Sequence, residues 1–183
     1  MDRKDFLKNC AGAMCACVAA NMISPATMNA AETAPADDWR LRFAKERYGK
    51  LLEILSNKMD EKALNETLHK MGECCSGFGD QWINSHRGDF EGLCKDIEKG
   101  PSGDTVTYDR DKSIIMMISP ERTNCFCPLN DKNTPKVVCN CSLGWQKHTW
   151  ESFFQKKVKV ELKESVLRGG KRCVFEIQIE QQA

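Results

Sequence analysis

The sequence predicts an α+β fold, with helices packed on an antiparallel sheet that ends in a C-terminal β-hairpin. Two observations carry this. Apolar residues recur at helical spacing through the first half of the chain after about residue 37, and "KVKVEL" and "CVFEIQI" near the end alternate apolar and polar residues strictly. Runs of helix followed by runs of strand, without regular βα alternation, place the chain in the α+β class.

Taken in order, Trp39, Phe43, Leu51, Leu52, Ile54, Leu55 and Met59 mark a first helix, which Asp37 or Asp38 can cap. A second begins at Asp60, carries Leu64, Leu68 and Met71, and is expected to end at Gly72. The glycines of "GECCSGFGD" allow a sharp turn or a close backbone approach around Cys74 and Cys75. A short helix is expected over 89–99 with Phe90, Leu93 and Ile97 inward, closed by "GPSGD". "TVTYD" and "SIIMMIS" then read as two strands joined across "RDK", the second apolar enough to be buried on both faces. After the "CFCP" loop, "KVVCNC" reads as a short strand and Ser142 as the cap of a helix through Trp145, Thr149 and Phe153. The hairpin turns at "RGGK", and Cys173 shares its inward face with Phe175, Ile177 and Ile179.

The chain has 183 residues, 27 Lys and Arg against 26 Asp and Glu, and 11 cysteines. Near-neutral charge argues against nucleic acid as a partner. The late lysines are interleaved with Glu161, Glu164 and Glu176, as on a solvated strand face. Residues 1–36 have the layout of an export signal. A charged start leads into a mild Ala-rich run and then small residues, with "APA" as a cleavage site before a single domain over 37–183. "DRKDFLK" resembles the twin-arginine export consensus, with Lys4 in place of the second arginine. The run is too short and polar to span a membrane. The expected product is therefore exported or periplasmic after passing the twin-arginine machinery, and not integral to the membrane. A lipid anchor at Cys17 fits the surrounding residues poorly.

Eight cysteines remain after residue 36. On extended backbone, residues i and i+2 project to one side, so Cys125 with Cys127 and Cys139 with Cys141 offer two bites of two thiolates, suited to Zn²⁺ or an iron–sulfur cluster. Cys74, Cys75 and Cys173 are further candidate ligands. Two other readings stand beside this one. The eight cysteines of an exported domain can form disulfides in any of 105 pairings. A cluster thiolate with His86 or His148 as base can attack a small cyclic amidine or amide. Trp82, Trp145, Trp150, Phe153 and Phe154 are either pocket lining or core; His69 reads as surface.

The run from "CNCSLGW" through "FFQKKVKVELKESVLRGGKRCVFEI" resembles the end of 4-vinyl-reductase-type small-molecule-binding domains, at Cys141, Gly144, Glu164, Gly169 or Gly170, Cys173 and Phe175. A similar ending occurs in proteins resembling L-2-amino-thiazoline-4-carboxylate hydrolase. The resemblance spans roughly 125–180. It implies a ligand cavity between sheet and helices and the binding of a small, often hydrophobic molecule or a metal. Where many such domains carry a cysteine soon after the glutamate, this chain has Ser165, Val166 and Leu167. No glycine-rich nucleotide loop accompanies it, so reductase chemistry is not implied.

Overall fold

The computed structural model describes residues 38–180, and the residues of the expected export signal, its expected cleavage site and Cys17 lie outside them. Helix α1 (Trp39–Lys58) starts at Asp38, whose carboxylate accepts from the Arg40 amide, and α2 (Glu61–Gly77) starts at Asp60, which accepts from Ala63. Each cap satisfies an amide that the helix itself leaves unbonded. A short α3 (Asp80–Ser85), which the sequence reading did not anticipate, precedes α4 (Phe90–Lys99), capped by Asp89. Strands β1 (Thr105–Asp109) and β2 (Ile114–Ile118) follow, then α5 (Cys139–Phe154), β3 (Val158–Glu164) and β4 (Val174–Ile179).

The four strands form one antiparallel sheet in the order β1-β2-β4-β3. Its register places Val106 opposite Met117, Met117 opposite Phe175, and Ile177 between Ile115 and Val160, so one face is continuously apolar. On that face Ile115, Met117, Phe175, Ile177 and Ile179 pack with Ile83, Leu93, Ile97, Trp150 and Phe153 from the helices. The other face of β2, predicted to be fully buried, is only half-buried. The lysine-glutamate strand lies as expected: Lys159 and Lys163 both bind Glu161, and Lys163 also reaches Glu176. The two lysines hold the Glu161 carboxyl down at about 2.

Three local expectations are overturned. The helix expected to end at Gly72 continues to Gly77, so "GECC" is helical. "KVVCNC" is no strand: Lys136–Val138 form a 3-10 turn that runs directly into α5 at Cys139, three residues before the expected Ser142 cap. Valines favour strands, but Pro135 precedes the turn and the first turn of α5 lies against α2, so tertiary packing overrides propensity.

The α2–α5 contact organises the helical layer. A Cβ built on Gly72 would lie 1.9 Å from the Cys141 carbonyl oxygen, and one on Gly144 would lie 1.9 Å from that of His69. Only glycine permits such an approach, so both residues serve the close-contact role rather than a turn. Further along, Ser76 and Thr149 share a buried 2.8 Å hydrogen bond, while Asn140 donates to Asn65 nearer the start. The pairs 65–140, 69–144 and 76–149 advance together, so the two helices run in the same direction. Leu52, Leu64, Leu68 and Val138 form a smaller core that joins α1 to this pair.

Candidate functional site: a group of thiols beside the helix crossing

The crossing brings together thiols that are far apart in the chain. Cys75 lies one turn beyond Gly72 on α2, and Cys141 lies in the first turn of α5 with its carbonyl against Gly72. The loop after β2 adds Cys125 and Cys127, both half-buried, with exposed Phe126 between them. The segment is a bend rather than the extended stretch expected, and it leads into a turn in which the Asn130 amide donates to the Cys127 carbonyl. Arg122 stands over the Phe126 ring, donates to the Ser102 carbonyl at 2.6 Å and lies 3.8 Å from Asp104, which ties the loop to the segment before β1.

The four sulfurs are close enough to act on one another electrostatically. Burial pushes the Cys141 thiol up to about 12, and Cys75, Cys127 and Cys125 add to the rise. Burial also raises Cys127, with Cys125 and Cys75 contributing in the same direction. Tyr48 of α1 borders the group. Its phenol lies 3.8 Å from the Met71 sulfur, and burial followed by these same four cysteines raises its pKa further. Each effect has the same leading cause, the loss of solvation that burial imposes on the ionised form, and repulsion from a neighbouring thiolate adds to it.

Opposing features favour the thiolate. Backbone amides of Leu129 and Asn130 point at the Cys127 sulfur and lower its pKa against the burial effect. Asn130 Nδ2 donates to Cys125 Sγ at 3.4 Å, and Asn130 Oδ1 is buried without a partner. Hydrogen bonds to sulfur are a common accompaniment of metal-thiolate sites. As the side chains stand, however, no three His, Cys, Asp or Glu residues among the described ones are arranged around a point that could hold a metal ion. All eight described cysteines are free thiols.

The second CxC pair divides. On a helix, residues i and i+2 point to nearly opposite sides. Cys139 therefore turns inward, where its sulfur meets the Ser165 hydroxyl at 3.1 Å, while Cys141 faces Cys75 and the loop thiols. The expectation that both share one side fails because the segment is helical. Burial raises the Cys173 pKa, Cys125 of this group and Cys139 add to the rise, and the Val166 amide and Arg122 oppose it. Cys74 is exposed on α2. Cys75 could have been singled out over Cys74 had the helix been extended past Gly72, since it then shares a face with Leu68 and Met71.

The other residues of the C-terminal resemblance have visible structural tasks. Glu164 Oε1 accepts from the amides of Lys171 and Arg172, closing the connection between β3 and β4, and Gly169 takes a φ of 98° within it. Ser119 Oγ accepts from the Cys173 amide, fastening that connection to the end of β2.

His86 and His148, the bases of the hydrolase reading, are bonded elsewhere. His148 Nε2 meets Asp80 at 2.7 Å; His86 Nδ1 meets the Trp82 carbonyl at 2.9 Å and its Nε2 meets Asp96 at 3.1 Å. Each ring nitrogen of His86 thus has an oxygen partner, and Ser85 Oγ lies 3.4 Å from Nδ1, so neither nitrogen is directed at a cluster thiol. Of the aromatic candidates, Trp150, Phe153 and Phe154 join Phe90 and Tyr108 in a packed ring cluster, whereas Trp82 and Trp145 are partly exposed. These rings occupy the space between sheet and helices.

Because a thiol with a raised pKa resists ionisation, the site carries a stability signature at high pH. Between about 9 and 12 the unfolded chain releases the Cys141 proton while the folded chain retains it, so stability falls as pH rises through that window. The urea midpoint of metal-free protein is expected to fall over that interval and to fall less in Cys141→Ala; equal slopes in both would refute the assignment.

No family model matches the chain, and no curated protein matches it. Solved structures do. A trafficking protein particle complex subunit 3 from Naegleria fowleri, covalently bound to palmitic acid, aligns with a TM-score of 0.53 and 18% identity over 78% of this chain and 96% of its own. The phenol-responsive sensory domain of the transcription activator PoxR, with phenol, aligns at 0.52 and 12% over 74% of each chain. A vinyl-4-reductase family protein from Methanocaldococcus jannaschii aligns at 0.42 and 17%, over 77% of this chain and 82% of its own. At these identities what the chain shares with the first two is a fold: helices packed on one side of an antiparallel sheet.

Proposed function

We propose that this is a metal-binding domain in which Cys75, Cys125, Cys127 and Cys141 hold Zn²⁺ or an iron–sulfur cluster. The observation that carries this reading is the gathering of four thiols from three separate parts of the chain, close enough that Cys75, Cys125 and Cys127 all bear on Cys141, beside amides directed at the Cys127 sulfur. A bound cation turns that repulsion into attraction and drives the protons off. The sulfurs must rotate toward one another as the ion enters. Cys139, turned to Ser165, and the exposed Cys74 are left out of this set.

An all-sulfur donor set suits zinc or iron–sulfur chemistry. The proposal keeps the chain as an exported protein. A twin-arginine-like start fits it, because that route carries proteins already folded around a cofactor. A small-molecule reading draws on the palmitic acid and phenol of the two neighbours with the same fold. Here such a ligand would have to displace the ring cluster around Trp150, which is fully buried.

The test is native mass spectrometry with elemental analysis of the full chain, as wild type, as Cys75→Ser with Cys141→Ser, and as Cys139→Ser. Near one equivalent of zinc or a cluster is expected in wild type and Cys139→Ser and less than a tenth of it in the double variant. Metal retained in the double variant overturns the ligand set. A metal-free mass lighter by two hydrogens per cysteine pair assigns the thiols to disulfides instead.

A further inference from the structure

Helix α1 has a second, outward face that the thiol site does not use. Its only fully buried residue is Leu52, whereas Trp39 is 62% exposed, Phe43 49%, Leu51 50% and Ile54 49%. At about 100° per residue these four fall within roughly a third of the helix circumference. Arg40, Arg47 and Lys50 fall in the same sector. The Arg40 guanidinium lies 5.8 Å from the Trp39 ring centre and that of Arg47 lies 5.2 Å from the Phe43 ring, so the cations flank the apolar groups. The two acidic residues of the helix, Glu46 and Glu53, lie at the edge of the sector, where Glu53 meets Lys50 at 2.8 Å.

We propose that this face of α1 docks on an anionic lipid surface. A helix lying in the interface needs aromatic and aliphatic side chains that enter the headgroup boundary and cations that meet lipid phosphates beside them, and this sector supplies both. No described helix is long and apolar enough to cross a membrane, so the helix lies on the surface. Charge complementarity argues for lipid over a second copy of the chain: a two-fold contact would set these cations against their own counterparts. It argues for lipid over nucleic acid as well, because Leu51 and Ile54 have no favourable partner among phosphates. Phenylalanine and tryptophan beside arginine suit the boundary between headgroup and acyl chain.

The experiment is co-sedimentation of the full chain with vesicles of phosphatidylcholine alone and with about 30 mol% phosphatidylglycerol, whose negative surface potential attracts basic side chains. Three proteins are compared: wild type, Arg47→Gln with Lys50→Gln, and Phe43→Ser with Ile54→Ser. All retain the same N-terminal segment, so differences among them report on α1. Circular dichroism and urea midpoints verify that the exposed substitutions leave the fold intact, and the charge variant provides an answer even where the apolar one is destabilised. Wild type is expected to bind the anionic vesicles, to release as salt is raised, and to weaken about fivefold for each cation removed. Equal binding to both vesicle types, or variants that bind like wild type, overturns the proposal. So does binding to duplex DNA in preference to vesicles, or loss of vesicle binding as the chain dimerises.

Discussion

Replacing Gly72 with alanine is expected to lower stability by about 3 kcal/mol or more, a larger loss than ordinary overpacking. The added methyl would stand 1.9 Å from the Cys141 carbonyl oxygen and 2.7 Å from the Trp145 amide nitrogen, both backbone atoms that cannot swing aside. The helices must separate, and with them the Ser76–Thr149 hydrogen bond and the approach of Cys75 to Cys141. Gly144→Ala should behave alike, because its methyl meets the His69 backbone. Gly49 is the control. It lies inside α1 with nothing within 4 Å of an added Cβ, so Gly49→Ala should stabilise by about 0.5–1 kcal/mol through helix propensity alone. Urea denaturation of the three variants separates the two effects, and a neutral Gly72→Ala would mean the helices do not approach so closely.

The second large effect concerns acidity. Four thiols that must each lose a proton to bind one metal ion make the apparent affinity rise about tenfold per pH unit for each proton released, or about 10⁴-fold from pH 6 to 7. The sign follows from the raised pKa values: Cys127 and Cys141 hold their protons throughout this range in the free protein, so acid competes with metal. Competition against a chromophoric chelator at several pH values measures the slope. Each serine substitution among Cys75, Cys125, Cys127 and Cys141 should lower it by one, and Cys139→Ser should leave it unchanged. A flat profile would show that thiols are not the ligands.

Both predictions rest on features that differ in how far the sequence discloses them. The caps at Asp38, Asp60 and Asp89 and the alternation of β3 and β4 are local: the residues that form each feature lie within a few positions of one another. Binary pattern also places Phe175, Ile177 and Ile179 inward, and the structure buries all three. The thiol group was legible as a set of candidates and no further. Its members are brought together by two helices and a loop that meet in space, and nothing within a window of a few residues encodes that meeting.

Gly72 and Cys139 make the distinction clear. Glycine after an apolar helical run is the usual mark of a helix end, and valines before "CNC" are the usual mark of a strand. Here the glycine is a contact surface and the valines enter a helix, because α2 and α5 gain more from packing closely than either segment does from its local preference. The sequence by itself determined the α+β class, the starts of α1, α2 and α4 and the facing of the terminal strands, since each depends on periodicity and short-range hydrogen bonds. Tertiary structure alone decided that Cys141 joins Cys75 and the loop pair while Cys139 turns to Ser165. A helical turn rotates neighbouring side chains apart, and only the packing of α2 against α5 fixes which of them faces the site.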